Sequence, residues 1–337
     1  MCKTYISELY KFLSMTTEEN DYYADVGIIG GGVGGLGAAI IAAYKGLKVT
    51  VFESGKYGGI VSTLYSRKIV ENYPGAPSIL GKRLIDEFII QAQEVQAELK
   101  NERVIEVLPD KTVVTNEGKY RFRVIIIASG SQPAELGIPG ERKFKRKDKG
   151  VYNFVTDPEL FKRKKVVVVG GGDTAIDSVW ELRDVAEKVY LVHRRDSFRA
   201  AESKVKKVVS LKNVEIVYNS EIEELKGEQI LEKAVLLDRN TKLKREIDVD
   251  ACILAVGMKT NIEIFDKLEL QKDGKYIKVD KEMRTNIPGV FAIGDVATAY
   301  QLIVIAVAQG AIAAHNAFGM IRKPYWYKDV EWPTEIE

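Results

Sequence analysis

The sequence predicts an α/β chain of two dinucleotide-binding domains, the second inserted into the first. Three observations carry this. A strand, a glycine loop and a helix occur in succession twice. Each copy is followed by a second strand whose last residue suits a nucleotide ribose. The tail of the chain then supplies one more strand and helix, which belong with the first copy.

The first loop stands in "VGIIGGGVGGLG" from Val26 and the second in "VVVVGGGDTAID" from Val166. In both, β-branched residues read as a buried parallel strand. Glycines follow at Gly30, Gly32 and Gly35, with Val33 between them, and again at Gly170 and Gly172, with Asp173, Thr174 and Ala175 completing the turn. The first glycine makes the tight turn and the second lets a pyrophosphate approach the backbone. The small third residue lets helix pack on strand, and the helix N-terminus offers amides and dipole. A glycine pattern alone is weak evidence. Here each copy has a strand before it and a helix after it, as a Rossmann-like (ββα-type) unit requires.

The second strands tell the two loops apart. The first reads "LKVTVFES" and ends at Glu53, about 20 residues past Gly30, where a carboxylate holds a ribose diol. The corresponding strand of the second copy reads "EKVYLVHRRDSFR". At the same distance from Gly170 stands His193, followed by Arg194 and Arg195, with Arg199 expected one helical turn on. A carboxylate there would repel a 2′-phosphate, whereas arginines bind it bidentately. The first site is therefore expected to take FAD or NAD and the second NADP.

Both halves also close alike, in "VIIIASG" ending at Ser129 and Gly130 and in "ACILAVG" ending at Gly257. β-rich segments precede each closing strand. This is an internal duplication of a nucleotide-binding unit. Two such units in one chain imply electron transfer between two dinucleotides, a fixed flavin and a visiting nicotinamide. The expected boundaries are an N-terminal extension over 1–24, an FAD domain over 25–130 and 259–337, and an NADP domain over 131–258.

The bulk properties fit. The 337 residues suit two domains, and 46% hydrophobic residues can build real cores. A net charge of +2 demands neither nucleic acid nor an anionic membrane. Two cysteines far apart argue against a disulfide framework and for a reducing, cytoplasmic setting. No metal-ligand pattern occurs. The most apolar run, "LIVIAVAQGAIAA", reads as too short and too broken to span a bilayer. The N-terminal "MCKTYISELYKFLSMTTEEND" lacks a signal peptide's apolar core and reads as a short amphipathic helix, with Met15 an alternative start.

The tail "TNIPGVFAIGDVATAY" places Asp295 at a strand end, ahead of a helix rich in small residues. Together with "GGGVGGLGAA", "VFES", "ENYPGAP", "ASGSQPAELGIPGE", "VVVVGGGDTAIDS" and "HRRDSFRA", it resembles the thioredoxin reductase branch of the two-dinucleotide-binding flavoproteins, from about Asp25 to about Ile321. Thioredoxin reductases carry a Cys-x-x-Cys just upstream of the second loop. In "GVYNFVTDPELFKRKK" the corresponding positions are Asn153 and Thr156. Cys2 lies in the extension and Cys252 in the apolar strand "ACILAV", where a cysteine acts as a small hydrophobe. Without a dithiol there is no thiol–disulfide relay.

The chain is in this respect similar to the thioredoxin-reductase-like ferredoxin–NADP reductases, which lack the same cysteines. That resemblance implies FAD and NADPH as cofactors, a homodimer, and electron delivery to ferredoxin or flavodoxin after hydride transfer. It assigns Tyr65, after the "GG" turn that includes Gly59, to stacking on the flavin. It places Asn72 beside the flavin, Val104 at the adenine, Asp295 on the ribityl chain, and Ile303 at the helix N-terminus facing the flavin's pyrimidine end. The match departs at Ile60, where the family often has Gln, and at Gln301-Leu302-Ile303, which replaces Arg-Gln-Ala. No clear counterpart of the family's C-terminal ring-stacking residue is present; Trp326 and Trp332 are the candidates, across a dimer interface, with core or interface packing the favoured reading of both. The basic stretch "ERKFKRKDKG", Glu141 to Gly150, is the candidate landing site for an acidic carrier. Two other functions are compatible with the same residues: an NAD(P)H oxidase or diaphorase, and a non-catalytic flavoprotein sensor.

Overall fold

The computed structural model describes residues 22–145, 149–325, 327–328 and 331–336. The extension with Cys2 and Met15, residues Arg146 and Lys147 of the basic stretch, and Trp326 lie outside them. In chain order the principal elements begin with β1 Ala24–Ile29, α1 Val33–Tyr44, β2 Val49–Phe52, α2 Gly59–Leu64, α3 Gly81–Glu94 and β3 Glu98–Lys100. A meander follows, β4 Val104–Val107, β5 Thr112–Thr115 and β6 Lys119–Ile127. Next come β7 Val151–Tyr152, β8 Lys165–Val169, α4 Asp173–Leu182, β9 Lys188–Val192, α5 Glu202–Val209 and β10 Val214–Val217. The strands β11 Ser220–Lys226, β12 Lys233–Asp238, β13 Lys244–Asp248 and β14 Ala251–Leu254 complete the middle of the chain. β15 Val290–Ala292 and α6 Ile303–Arg322 close it.

Two compact units result, Met1–Gln132 with Thr260–Glu337, and Pro133–Lys259. In the first, the strand order is β3-β2-β1-β6-β5-β4. β1 pairs in parallel with β2 and β6, and β15 pairs in parallel with the end of β6 through Val290↔Ile125. The start of β6 turns to the meander, pairing antiparallel with β5 through Thr112↔Arg121. All six residues of β1, ADVGII, are buried, as a central parallel strand covered on both faces demands. Val26, Ile28, Leu36, Phe291 and Ala313 pack on one face; Ile29, Phe52, Phe122, Ile125 and Ile127 on the other.

α6 corrects one expectation. The apolar run does not stop short. It continues into a 20-residue helix whose most apolar 18-residue stretch has a mean hydropathy of 1.5, long and apolar enough to cross a membrane by those criteria. The helix instead lies along α1 in the core, with Ala306, Gly310, Ala313, Ala314 and Ala317 buried. A Cβ at Gly310 would come 2.7 Å from the Gly34 carbonyl oxygen and 2.9 Å from the Ala38 nitrogen. Small residues therefore set the approach of the two backbones. Trp332 also packs rather than projecting: its Nε1 donates to the Thr285 carbonyl at 2.7 Å and its ring meets Phe291 edge-on at 5.4 Å.

The second unit repeats the plan. Its five-stranded parallel sheet runs β7-β14-β8-β9-β10, and β11-β12-β13 form a separate antiparallel sheet. The valines of β8 are buried from Val166 to Val169.

Candidate functional site

The first glycine loop is built by backbone proximity. Gly30 has φ +109°, and a Cβ there would lie 2.2 Å from the Ala128 carbonyl oxygen, just ahead of Ser129 and Gly130. A Cβ at Gly35 would overlap the Gly30 carbonyl oxygen. No side chain larger than hydrogen fits either place, so β1, the end of β6 and the start of α1 meet there. Gly32 is the N-cap of α1, uses no side-chain cap, and has nothing within 4 Å of where its Cβ would be. The first amides of α1 thus open on free space, which suits a pyrophosphate.

The turn at Gly58 and Gly59 joins this loop. The Gly58 N–H donates to the Gly31 carbonyl at 2.7 Å, and a Cβ at Gly59 would be 3.2 Å from the Gly32 Cα. Gly59 opens α2, so Ile60 follows inside its first turn and Tyr65 is its C-cap. Tyr65 is 42% exposed, with the Lys68 ammonium 5.6 Å from its ring centroid. Glu53 leaves β2 and accepts from the Gly31 N–H at 2.9 Å through one oxygen and from the Gly55 N–H at 2.8 Å through the other.

Asp295 enters from β15 on a 3₁₀ turn, Gly294–Val296, and accepts from the Ser131 hydroxyl at 2.8 Å. Burial pushes its carboxyl above the usual range; the Ser131 hydrogen bond and the charge of Lys275 pull the other way. Ile303 begins α6, and Gly34 of the loop lies against Ala306 one turn further on. Asn72 is exposed in the segment before α3, and Val104 opens the meander opposite Thr115.

The second loop has the same skeleton and different walls. Gly170 has φ +150°, and a Cβ there would be 2.4 Å from the Ala255 carbonyl oxygen, two residues before Gly257. α4 starts at Asp173, with Thr174 and Ala175 in its first turn. The His193 imidazole lies directly over Gly171. Burial, then Arg195 and Arg194, hold the ring's pKa below the usual histidine range, while its hydrogen bond to the Ser197 carbonyl at 3.0 Å raises it.

Arg199 is not one helical turn on. Residues 194–201 are non-helical and fold back on the loop, because the Arg199 N–H donates to the Gly171 carbonyl at 2.8 Å. This brings the Arg199 Nη2 within 3.4 Å of where a Gly172 Cβ would sit. Arg194, Arg195 and Arg199 are all exposed, and none is ion-paired with a described residue. An unneutralised Arg199 guanidinium beside the α4 N-terminus, with Arg194 and Arg195 exposed next to His193, suits a phosphate ester.

Several contributors escaped sequence reasoning. The Tyr57 ring covers Gly31 much as His193 covers Gly171. Burial and then Glu53 push the Tyr57 phenol up, which keeps it neutral. Its spacing from Gly59 was the available signal. Ser131, directly after Gly130, carried none. In the second unit the His193 ring meets Phe198, and Phe198 meets Tyr218, each at a tilt with ring centroids 5.2 Å apart.

The family model for pyridine nucleotide-disulphide oxidoreductases matches residues 24–310. A thioredoxin reductase of Listeria monocytogenes is 36% identical over 309 residues, covering 90% of this chain and 95% of its own length. A protein named ferredoxin–NADP reductase from Sulfurisphaera tokodaii is also 36% identical, over 304 residues, covering 86% and 90%. Among solved structures, Lactococcus lactis thioredoxin reductase superposes with a TM-score of 0.80 at 29% identity, covering 89% of this chain and 100% of its own. With two glycine loops on two parallel sheets and a matching model over most of its length, the chain belongs to the pyridine nucleotide-disulphide oxidoreductase family, and it is an oxidoreductase whose cofactors are FAD and NADPH.

Proposed function

We propose that this chain carries electrons between NADPH and a one-electron protein carrier, ferredoxin or flavodoxin, without a redox-active dithiol. One observation supports this above the rest. The positions that would hold the dithiol are Asn153, whose Nδ2 is buried without a protein partner, and Thr156, which is exposed. Cys252 is fully buried in β14, and burial pushes its thiol far up, so it supplies no thiolate.

The residues divide the work. Gly30, Gly32, Val33 and Gly35 receive the FAD pyrophosphate, Glu53 its adenosine ribose, and Asp295 its ribityl chain. Gly170 to Ala175 receive the NADPH pyrophosphate, and Arg194, Arg195 and Arg199 its 2′-phosphate. When bound there, FAD would supply hydride acceptance and one-electron release, chemistry that suits an iron–sulfur or flavin carrier. Tyr65 covers the flavin, and no side chain need act as acid or base. The site is cytoplasmic and the working form a homodimer in this reading.

The basic stretch supports docking less than its composition suggested. Arg142 and Lys145 both pair with Glu135, and the Lys143 ammonium donates to the Gly227 carbonyl. These cations are locally engaged, which lowers the charge left for steering a partner.

The test is anaerobic NADPH oxidation with ferredoxin, flavodoxin, thioredoxin or a quinone as acceptor. The purified protein should be yellow and release FAD on denaturation. Ferredoxin or flavodoxin should be reduced, and thioredoxin should give no NADPH-dependent thiol release. Thioredoxin turnover would overturn the reading. Turnover with quinone or oxygen alone would make the chain an oxidase.

A further inference from the structure

We propose that Ser131 is a positioning residue of the FAD site, whose hydroxyl keeps Asp295 ionised and aimed and so sets the acid limit of FAD retention. This rests on the assignment of Asp295 to the flavin site and deepens it.

The geometry divides the two Asp295 oxygens. Oδ2 accepts from the Ser131 hydroxyl at 2.8 Å, and the Gln301 amide lies 3.4 Å from both Oδ2 and the Ser131 oxygen. Oδ1 accepts no hydrogen bond from a described residue, and so remains available to a ligand hydroxyl. The backbone beneath is held as well: Gly294, at φ +69°, donates its N–H to the Gln309 Oε1 on α6 at 2.7 Å. A carboxylate with one oxygen tied and one open, on a pinned turn, suits a polyol chain, whose hydroxyls donate more strongly to the ionised form than to the neutral acid.

Ionisation at this place is not automatic, because burial favours the neutral acid. Ser131, from the short strand Ser131–Pro133, is the principal opposing group. Lys275, from the turn between Lys272–Asp273 and Tyr276–Ile277, adds an opposite charge without a hydrogen bond to the carboxylate. Gln301 brings a neutral amide at the edge of hydrogen-bond reach. Removing the Ser131 donor raises the pKa of Asp295. FAD, held more tightly by the carboxylate than by the acid, is then lost at a higher pH.

The experiment follows FAD retention as pH is lowered, by fluorescence of released flavin, in the wild-type chain, Ser131→Ala, Ser131→Thr and Asp295→Asn. A hydrogen bond to a charged group is worth enough to move the acid limb of Ser131→Ala upward by about one pH unit. Ser131→Thr, which keeps the hydroxyl, should return the wild-type limb. Asp295→Asn should lose that limb altogether. Loss of FAD from Ser131→Ala at every pH, with Ser131→Thr normal, also supports the assignment. An unmoved limb in Ser131→Ala, failure of Ser131→Thr alongside it, or a limb retained by Asp295→Asn overturns it. A wild-type chain that takes no FAD at any pH instead overturns the placement of the flavin.

Discussion

The two glycine loops are the same backbone device finished in two ways. In each, the first glycine presses on the carbonyl that follows a neighbouring strand, Ala128 in one and Ala255 in the other. In each, an aromatic ring covers the middle glycine. The first is enclosed: α1 is buried at eight of its twelve residues, Tyr57 is wedged beside Glu53, and Glu53 is tied to the loop by the Gly31 amide. The second is open: α4 keeps an exposed Trp180, and three arginines stand free in solvent. The difference teaches that one backbone device can be given an enclosed or an open mouth, by changing the walls and keeping the floor; under the proposed function the enclosed one suits a resident flavin and the open one a visiting nicotinamide.

The comparison breaks most readily at the arginines. Replacing Arg194 and Arg195 together by Ala should raise KM for NADPH by one to a few decades, since each charge-assisted bond is worth about 1.5–3 kcal/mol. NADH kinetics should change little. Equal damage to both nucleotides would mean that the arginines only support the turn.

Alanine at the middle glycines sharpens the contrast further. A Cβ at Gly31 would meet the Tyr57 ring at 2.5 Å, and one at Gly171 would meet the His193 ring at 2.2 Å. Overpacking costs about 1–3 kcal/mol where neighbours cannot yield. Both rings are half-buried, but Tyr57 packs against the main core cluster of its unit, whereas His193 is followed by the exposed residues Arg194 to Ser197. Gly31→Ala should therefore lower Tm and FAD retention more than Gly171→Ala lowers Tm. The reverse order in a thermal melt would show that the second loop is the stiffer one.

The smallest effects concern ion pairs. Asp25 is 8% exposed at the start of β1 and accepts from Arg322 at 3.1 Å and from the Lys48 N–H at 2.9 Å. Lys204 pairs with Asp177 at 2.8 Å in the open. Arg322→Ala should cost about 1–3 kcal/mol in denaturant unfolding, because it strips a partner from a shielded carboxylate. Lys204→Ala should cost less than about 1 kcal/mol. Equal costs would mean that Asp25 finds a substitute partner in Arg123.

The chain's local pattern determined the two loops and the register of Glu53 against His193, while the resemblance to the thioredoxin reductase branch, not spacing, pointed to Asn153 and Thr156 as the dithiol positions. The loops and the register are read directly because each depends on short spacing along one strand–turn–helix, where backbone geometry and residue type are tied together. What only the tertiary structure decided are contacts between residues far apart in the chain. Ser131 reaches Asp295, and α6 runs close against the small residues of α1, with Gly310 set against Gly34 and Ala38. Arg199 folds onto Gly171 through a backbone hydrogen bond that no helical spacing predicts. The Trp332 ring meets Phe291 edge-on. Such contacts depend on packing and on buried polar groups finding partners, and neither leaves a periodic mark in the sequence.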